Sequence, residues 1–198
     1  MNHKGQVFII SGPSGSGKGT IVTEVMKQYP NCFLSVSMTT RAPREGEIDG
    51  ESYHFIDEER FEKLIAEDGL LEYAGYCGNH YGTPKAPVEK AMAEGKDVIL
   101  EIDLQGGLQI KAKRPDAVMI FVLPPSRTIL EHRLRKRGTE SDETIQKRLA
   151  NAENEIKLMG LYDYLVVNDD LPDAVNDVLH IFRAEHLKRQ NYADFRFV

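Results

Sequence analysis

The sequence predicts an α/β fold with a central parallel sheet flanked by helices, and three observations point to it. Short apolar runs alternate with segments of helical periodicity along most of the chain. A glycine-rich loop, Gly12 to Thr20, separates the first apolar run from the first helical segment. Residues 39–83 then break the alternation with Gly46, Gly50, Gly69, Gly75, Gly78 and Gly82, several tyrosines and short strand-like pieces, which reads as a small mixed insertion.

Gln6–Ser11 is an apolar run ending at glycine and reads as a buried strand. From Lys18 to Gln28, Ile21, Val22, Val25 and Met26 recur at helical spacing until Pro30 stops the pattern. Leu34–Met38 is a second strand candidate. Within the insertion, His54–Ile56 and Leu71–Ala74 read as strands, and Phe61, Leu64 and Ile65 mark a short helix beginning near Asp57. Gly78-Asn79 suggests a turn. Thr83-Pro84 predicts an N-cap with proline at the first helical position, and Gly95 closes that helix. Val98–Ile102, ending in Asp103, and Val118–Leu123, stopped by Pro124-Pro125, are strands. Ser126 caps a helix running to Gly138. Ser141 opens a longer one with Ile145, Leu149, Ala152 and Ile156 on one face. Leu165–Val167 is the last strand, and Pro172 starts a final helix. The tail after Glu185 is basic and aromatic and continues that helix before fraying.

The chain has 198 residues, which suits one domain, with 41% hydrophobic and 28% charged residues and a formal net charge of −6. A general nucleic-acid or anionic-membrane binder is more often basic, so neither partner is expected. Cys32 and Cys77 lie outside any metal-ligand spacing and read as reduced thiols. Met1–Gln6 is polar, and no stretch approaches the ~20 apolar residues of a membrane span. The expectation is a soluble cytoplasmic protein, and no obligate protein partner is evident.

The loop fits the pattern G-x-x-x-x-G-K, a phosphate-binding P-loop, with Gly12, Pro13, Ser14, Gly15, Ser16, Gly17 and Lys18 in place. Glycines let backbone N–H groups converge on phosphate oxygens. The following helix presents its positive end to the same anion. Lys18 can reach the terminal phosphates, where charge shifts during transfer. Residue 19 is glycine and the hydroxyl arrives one position later, at Thr20. Gly19 cannot hold Mg²⁺ through a side chain as the corresponding residue of P-loop GTPases does, which leaves the metal's direct ligands unassigned and counts against a GTPase switch. Val98–Asp103 resembles a Walker B strand, with an acid at the carboxyl end, where α/β sheets bind ligands.

Ser37-Met38-Thr39-Thr40-Arg41-Ala42-Pro43-Arg44 sets two arginines three apart after a strand, followed by Gly46, Asp49-Gly50, Tyr53, Glu72 and Tyr81-Gly82-Thr83. Together with Glu-Ile-Asp-x-Gln-Gly at 101–106, Arg-Gly-Thr-Glu at 137–140 and Val-Asn-Asp-Asp at 167–170, this order resembles the guanylate kinase family from about Gly5 to about Glu185. The resemblance implies a P-loop kinase fold. Its core would be about 5–38, 84–125 and 160–185, its GMP-binding flap about 39–83, its helical lid about 126–159, and its basic tail 186–198. It implies phosphorylation of GMP, and of dGMP, by ATP with Mg²⁺, in purine nucleotide metabolism and GMP recycling.

By the same resemblance, residues 12–20 bind ATP; Arg41, Arg44, Tyr53 and Tyr81 bind the GMP phosphate; and Ser37, Glu72, Thr83 and Asp103 face guanine. The chemistry agrees. Guanine offers N1–H and N2 amino donors on one edge, and a carboxylate such as Glu72 accepts from both. Adenine lacks that pair, and sites built on such bonds reject analogues by ~10⁴-fold. Lys18, Arg133, Arg137 and Arg148 would close over the ATP phosphates as the catalytic charges, while Arg135, two positions from each of the first arginine pair, should point elsewhere. No catalytic base is assigned, because the attacking GMP oxygen is already anionic. Flap and lid are both expected to move, drying the site against loss of the phosphoryl group to water. The alternative is a non-catalytic interaction module of the same fold. Such modules have a degraded P-loop, whereas Lys18 and the arginines are intact here.

Overall fold

The computed structural model describes residues 5–76, 78–136 and 141–192. In chain order, these hold β1 (Val7–Ser11), α1 (Lys18–Gln28), β2 (Cys32–Leu34), β3 (Met38–Thr39), β4 (His54–Phe55), α2 (Glu58–Ala66), β5 (Leu70–Tyr76) and β6 (Asn79–Pro84). Then follow α3 (Lys85–Ala93), β7 (Asp97–Leu100), α4 (Leu104–Lys113), β8 (Val118–Leu123), α5 (Arg127–Lys136), α6 (Asp142–Ile156), β9 (Tyr164–Val167) and α7 (Leu171–His186). One sheet runs β2-β7-β1-β8-β9 and a smaller one runs β4-β3-β6-β5. In the first, β1 and β2 pair with β7 in parallel, as β9 does with β8. Every residue of β1 and β7 is buried, as the near-continuous apolar runs of a sheet covered on both faces require. The residues divide into two compact units, 5–10 with 31–119 and 11–30 with 120–192.

The unit of 31–119 holds the smaller sheet. There β5 and β6 form an antiparallel hairpin with Glu72 opposite Thr83. Helix α4 is joined to β5 by Gln109, whose side-chain amide donates to the Tyr73 carbonyl (2.8 Å) and accepts from the Tyr73 N–H (3.3 Å). Lys113 Nζ donates to the Leu71 carbonyl (2.7 Å). Asp57 caps α2 by accepting from the Arg60 N–H (2.8 Å).

In the unit of 120–192, Leu130 and Leu134 of α5 pack on Ile145, Leu149 and Ala152 of α6. Helix α7 buries Ala174, Val175, Val178, Ile181 and Phe182 and packs on α1, with Phe182 edge-on to Tyr29 at 5.9 Å between centroids. Ser141 caps α6 by accepting from the Thr144 N–H, and Asp170 caps α7 by accepting from the Asp173 N–H.

Three sequence expectations change. Leu34–Met38 is not one strand: β2 ends at Leu34 in the large sheet, and β3 begins at Met38 in the small one. Alternation along Leu-Ser-Val-Ser-Met reports an extended chain, not which sheet takes it. Thr83 is not a helix cap. It lies in β6, with its hydroxyl committed to Glu72, and Pro84 takes the N-cap position with no side-chain cap. Helix α4 has no counterpart in the sequence reading, because Gly106-Gly107 in its first turn interrupts the pattern. The predicted end of α5 at Gly138 falls outside the described residues, as does Cys77. No helix among the described residues is long and apolar enough to cross a membrane.

Glu185 of α7 is 1% exposed, accepts from the Tyr164 hydroxyl (2.6 Å) and pairs with Lys188 (2.7 Å). The bond to Glu185, with burial added, pushes the Tyr164 hydroxyl up to about 12 from 10.0. A raised folded-state value means that the protonated tyrosine stabilises the fold below pH 10.0, and that this contribution is lost as pH rises towards about 12. Urea titrations at about pH 9, 10 and 11 are therefore expected to show wild type losing more stability than Tyr164→Phe as pH rises. Parallel losses in the two proteins would contradict this.

Candidate active site

The loop after β1 carries three left-handed glycines, Gly12, Gly15 and Gly17, with φ of 145°, 92° and 94°. Gly17 is the N-cap of α1 and offers no side-chain cap. A Cβ there would meet Asn168 Nδ2 at 2.2 Å, so conformation and contact both require glycine. The Ser16 N–H donates to the Pro13 carbonyl (3.0 Å), closing the turn. Lys18 Nζ folds back to donate to the carbonyls of Gly12 (2.6 Å) and Pro13 (3.4 Å), which hold the ammonium over the loop. Gly19 lies in the first helical turn, where its carbonyl accepts from the Thr23 hydroxyl (2.8 Å), and Thr20 is exposed beside it.

Residues far along the chain secure this loop. Asn168, 5% exposed just past β9, donates through Nδ2 to the Ser16 carbonyl (2.7 Å), and its own N–H donates to the Leu123 carbonyl (2.8 Å). Arg133 of α5 donates to the carbonyls of Ser16 (3.3 Å) and Asn168 (2.9 Å). Arg148 of α6 donates to the Ser14 hydroxyl (2.7 Å). Two of the three arginines singled out from the sequence therefore touch the loop, and Arg137 lies outside the described residues. Arg135 turns to Glu131 and Asp142 instead. Asn168 belongs to the Val-Asn-Asp-Asp motif, but the sequence assigns it no role, because its partners are main-chain oxygens.

The second group lies in the other unit. The Arg41 guanidinium stacks over the Tyr53 ring (5.4 Å to the centroid) and is hydrogen-bonded to Tyr81. The Tyr53 and Tyr81 rings meet edge-on at 6.0 Å. Arg41 Nη2 also pairs with Glu47 (2.9 Å), whose other oxygen accepts from the Arg44 N–H (2.7 Å). The Arg41 bond first, then the Arg44 N–H, holds the Glu47 carboxyl below its ordinary value. The structure thus brings Arg41, Tyr53 and Tyr81 together beside Glu47, an acid to which the sequence reading gave no role, while the Arg44 side chain is exposed. Ser37 sits half-buried before β3, its carbonyl accepting from the His54 N–H (2.9 Å).

Glu72 on β5 is 4% exposed, and its Oε1 accepts from the Thr83 hydroxyl (2.6 Å). Burial is the main cause pushing its carboxyl above the ordinary range; the Thr83 bond opposes this and the nearby Asp103 charge adds to it. Asp103 is the N-cap of α4, with Oδ1 accepting from the Gly106 N–H (2.9 Å). Chemically, the loop with Lys18 and two arginines suits a polyphosphate. The arginine–tyrosine group suits a single phosphate, and Glu72 suits a heterocycle edge with two adjacent N–H donors.

Comparison with known proteins gives a consistent answer. The family model described as Guanylate kinase matches residues 4–185. The guanylate kinase of Carboxydothermus hydrogenoformans is 56% identical over 192 residues, covering 96% of this chain and 94% of that protein. That of Desulfitobacterium hafniense is 51% identical over 194 residues, covering 97% and 96%. A crystal structure of guanylate kinase from Anaplasma phagocytophilum superimposes with a TM-score of 0.78 at 33% identity, covering 94% of this chain and 89% of that one. Matched by the family model over residues 4–185 and by these relatives over nearly its whole length, the chain belongs to the guanylate kinase family.

Proposed function

We propose that this chain transfers the γ-phosphoryl group of ATP to GMP, and to dGMP, giving ADP and GDP or dGDP. The observation that carries the choice of acceptor is Glu72, a buried carboxylate tied through one oxygen to Thr83. A phosphate oxygen of GMP attacks the γ-phosphorus, the bond to the β–γ bridging oxygen breaks, and ADP leaves with that electron pair. The nucleophile is already anionic, so no base is needed.

Residues 12–20 hold the ATP phosphates through main-chain N–H groups and Lys18, which exchanges its carbonyl partners for phosphate oxygens. Arg133, Arg137 and Arg148 offset charge on the transferring group. Arg41, Arg44, Tyr53 and Tyr81 bind the GMP phosphate, where Glu47 now occupies the Arg41 fork. Glu72, Thr83, Ser37 and Asp103 read guanine. In this reading residues 39–83 act as the GMP flap and 126–159 as the lid, and the reaction belongs to the cytoplasm. The intact loop and Lys18 cradle count against a non-catalytic interaction module.

Mg²⁺ comes with the ATP. Among the described residues no group of three or more His, Cys, Asp or Glu is arranged to hold a metal. The loop's N–H groups and Lys18 are donors and would hold the nucleotide's phosphate oxygens, on which the ion would be carried. When bound, that ion neutralises the β and γ oxygens.

Purified protein given Mg²⁺, ATP and each nucleoside monophosphate in turn is expected to form ADP with GMP and little with AMP, CMP or UMP. Lys18→Ala should lower kcat by about 100-fold or more with the fold intact by circular dichroism. Absence of GMP-dependent ADP formation in the wild type would overturn the proposal.

Glu72→Gln should reduce the preference for GMP over AMP by about 100-fold or more, read as a ratio of kcat/KM values. Because the folded-state value of Glu72 is raised, stability falls as pH climbs from the ordinary glutamate range through that value, and the cost of burying the ionised form is fully present above it. Without nucleotide, Glu72→Gln is therefore expected to melt higher than wild type at neutral pH, and a lower melting temperature would contradict the burial argument.

Asn168→Ala removes the bond to Ser16 and should cost about 1–3 kcal/mol in urea denaturation. It should also raise KM for ATP while KM for GMP stays unchanged. An equal rise in both would show that Asn168 acts on more than the loop.

A further inference from the structure

Helix α4 begins with two adjacent glycines, Gly106 and Gly107, in its first turn, although glycine is among the poorest helix formers. Neither has a left-handed backbone, so turn geometry does not explain them. Their surroundings differ. A Cβ on Gly107 would approach Met119 Cε at 3.0 Å and Ile9 Cγ2 at 3.5 Å, ends of core side chains that can give way. A Cβ on Gly106 would lie 2.6 Å from Glu72 Oε2, 2.9 Å from Glu72 Cδ and 3.3 Å from Ile102 Cδ1. No real methyl group sits that close to a carboxylate oxygen.

Two features prevent the clash from being relieved by a shift of β5. Gln109 and Lys113 follow Gly106 by three and seven residues, so all three lie along one face of α4. Gln109 bonds both main-chain groups of Tyr73, and Lys113 bonds the Leu71 carbonyl. The backbone on either side of Glu72 is therefore pinned to the helix that carries Gly106. The carboxylate itself is held from the opposite strand by the Thr83 hydroxyl at 2.6 Å. With backbone and Oε1 both fixed, a methyl group at 106 displaces Oε2.

We infer that Gly106 is a specificity-determining position, whose missing side chain keeps Glu72 Oε2 where a purine edge is read. The inference rests on the proposed role of Glu72 in binding guanine, and Gly106 acts through that carboxylate as a positioning residue. Its substitution should harm selection among acceptors more than folding, because the group that moves is the end of one side chain.

The test is steady-state kinetics of four variants, with KM for GMP, KM for ATP and the GMP/AMP ratio of kcat/KM read together. Gly106→Ala should raise KM for GMP by about 10-fold or more, lower the GMP/AMP ratio, and leave KM for ATP within about 2-fold of wild type. Gly107→Ala should leave all three unchanged. In the Glu72→Ala background the added methyl group has room, so Glu72→Ala/Gly106→Ala should match Glu72→Ala alone. That comparison also serves if Gly106→Ala folds poorly.

A further rise in KM for GMP in the double variant, or an equal rise in Gly107→Ala, would overturn the assignment. An unchanged KM for GMP in Gly106→Ala alongside a raised one in Glu72→Ala would overturn it while sparing the guanine reading. An unchanged KM for GMP in Glu72→Ala would overturn the guanine reading itself, and the assignment of Gly106 with it.

Discussion

The carbonyl oxygen of Ser16 is the point on which the phosphate loop depends. It accepts from Asn168 Nδ2 and from Arg133, so one main-chain oxygen ties together the loop, the end of β9 and helix α5. A loop with three left-handed glycines has little conformational preference of its own and would wander if it were not held. The clasp works through main-chain oxygen, and the loop's N–H groups are not spent on it. Arg133 donates to two carbonyl oxygens, and these bonds direct its guanidinium at the loop.

The same economy of space governs the other unit. Glu72 is buried where an ionised carboxylate is unfavourable, and Thr83 satisfies one of its oxygens. A donor pair on a ligand's edge is therefore worth more to this carboxylate than it would be to one in water. The selectivity proposed for Glu72 would come from an instability that the rest of the fold must carry. The β5–β6 hairpin and its attachment to α4 supply that support.

The legible parts of the chain were those where one signal was strong and local. Buried strands such as β1 and β8 declare themselves as apolar runs, and Ser141, Asp57 and Pro172 mark helix starts by known chemistry. The family motifs pointed to Arg41, Tyr53 and Tyr81, which the fold gathers, and to Glu72 and Thr83, which it pairs. What stayed hidden was long-range or relational. Asn168 works through the Ser16 carbonyl oxygen, 152 residues away in the chain. Glu47 looks like any solvated acid until Arg41 is seen beside it. Helix α4 was obscured by the glycines that suit it to its neighbours, and Thr83 resembled a helix cap because a hydroxyl before proline is a cap in most settings.

The Arg41–Glu47 pair has a kinetic consequence. The Arg41 guanidinium has its counter-ion, Glu47, at 2.9 Å. Seen from beyond a Debye length, about 8 Å at physiological ionic strength, such a pair presents a dipole and not a positive charge. It exerts little pull on a distant anion, and the net charge of −6 repels one weakly. In the role proposed for this group, capture of a phosphate would thus be a short-range exchange of one anion for another after collision, with Glu47 able to retake the fork afterwards.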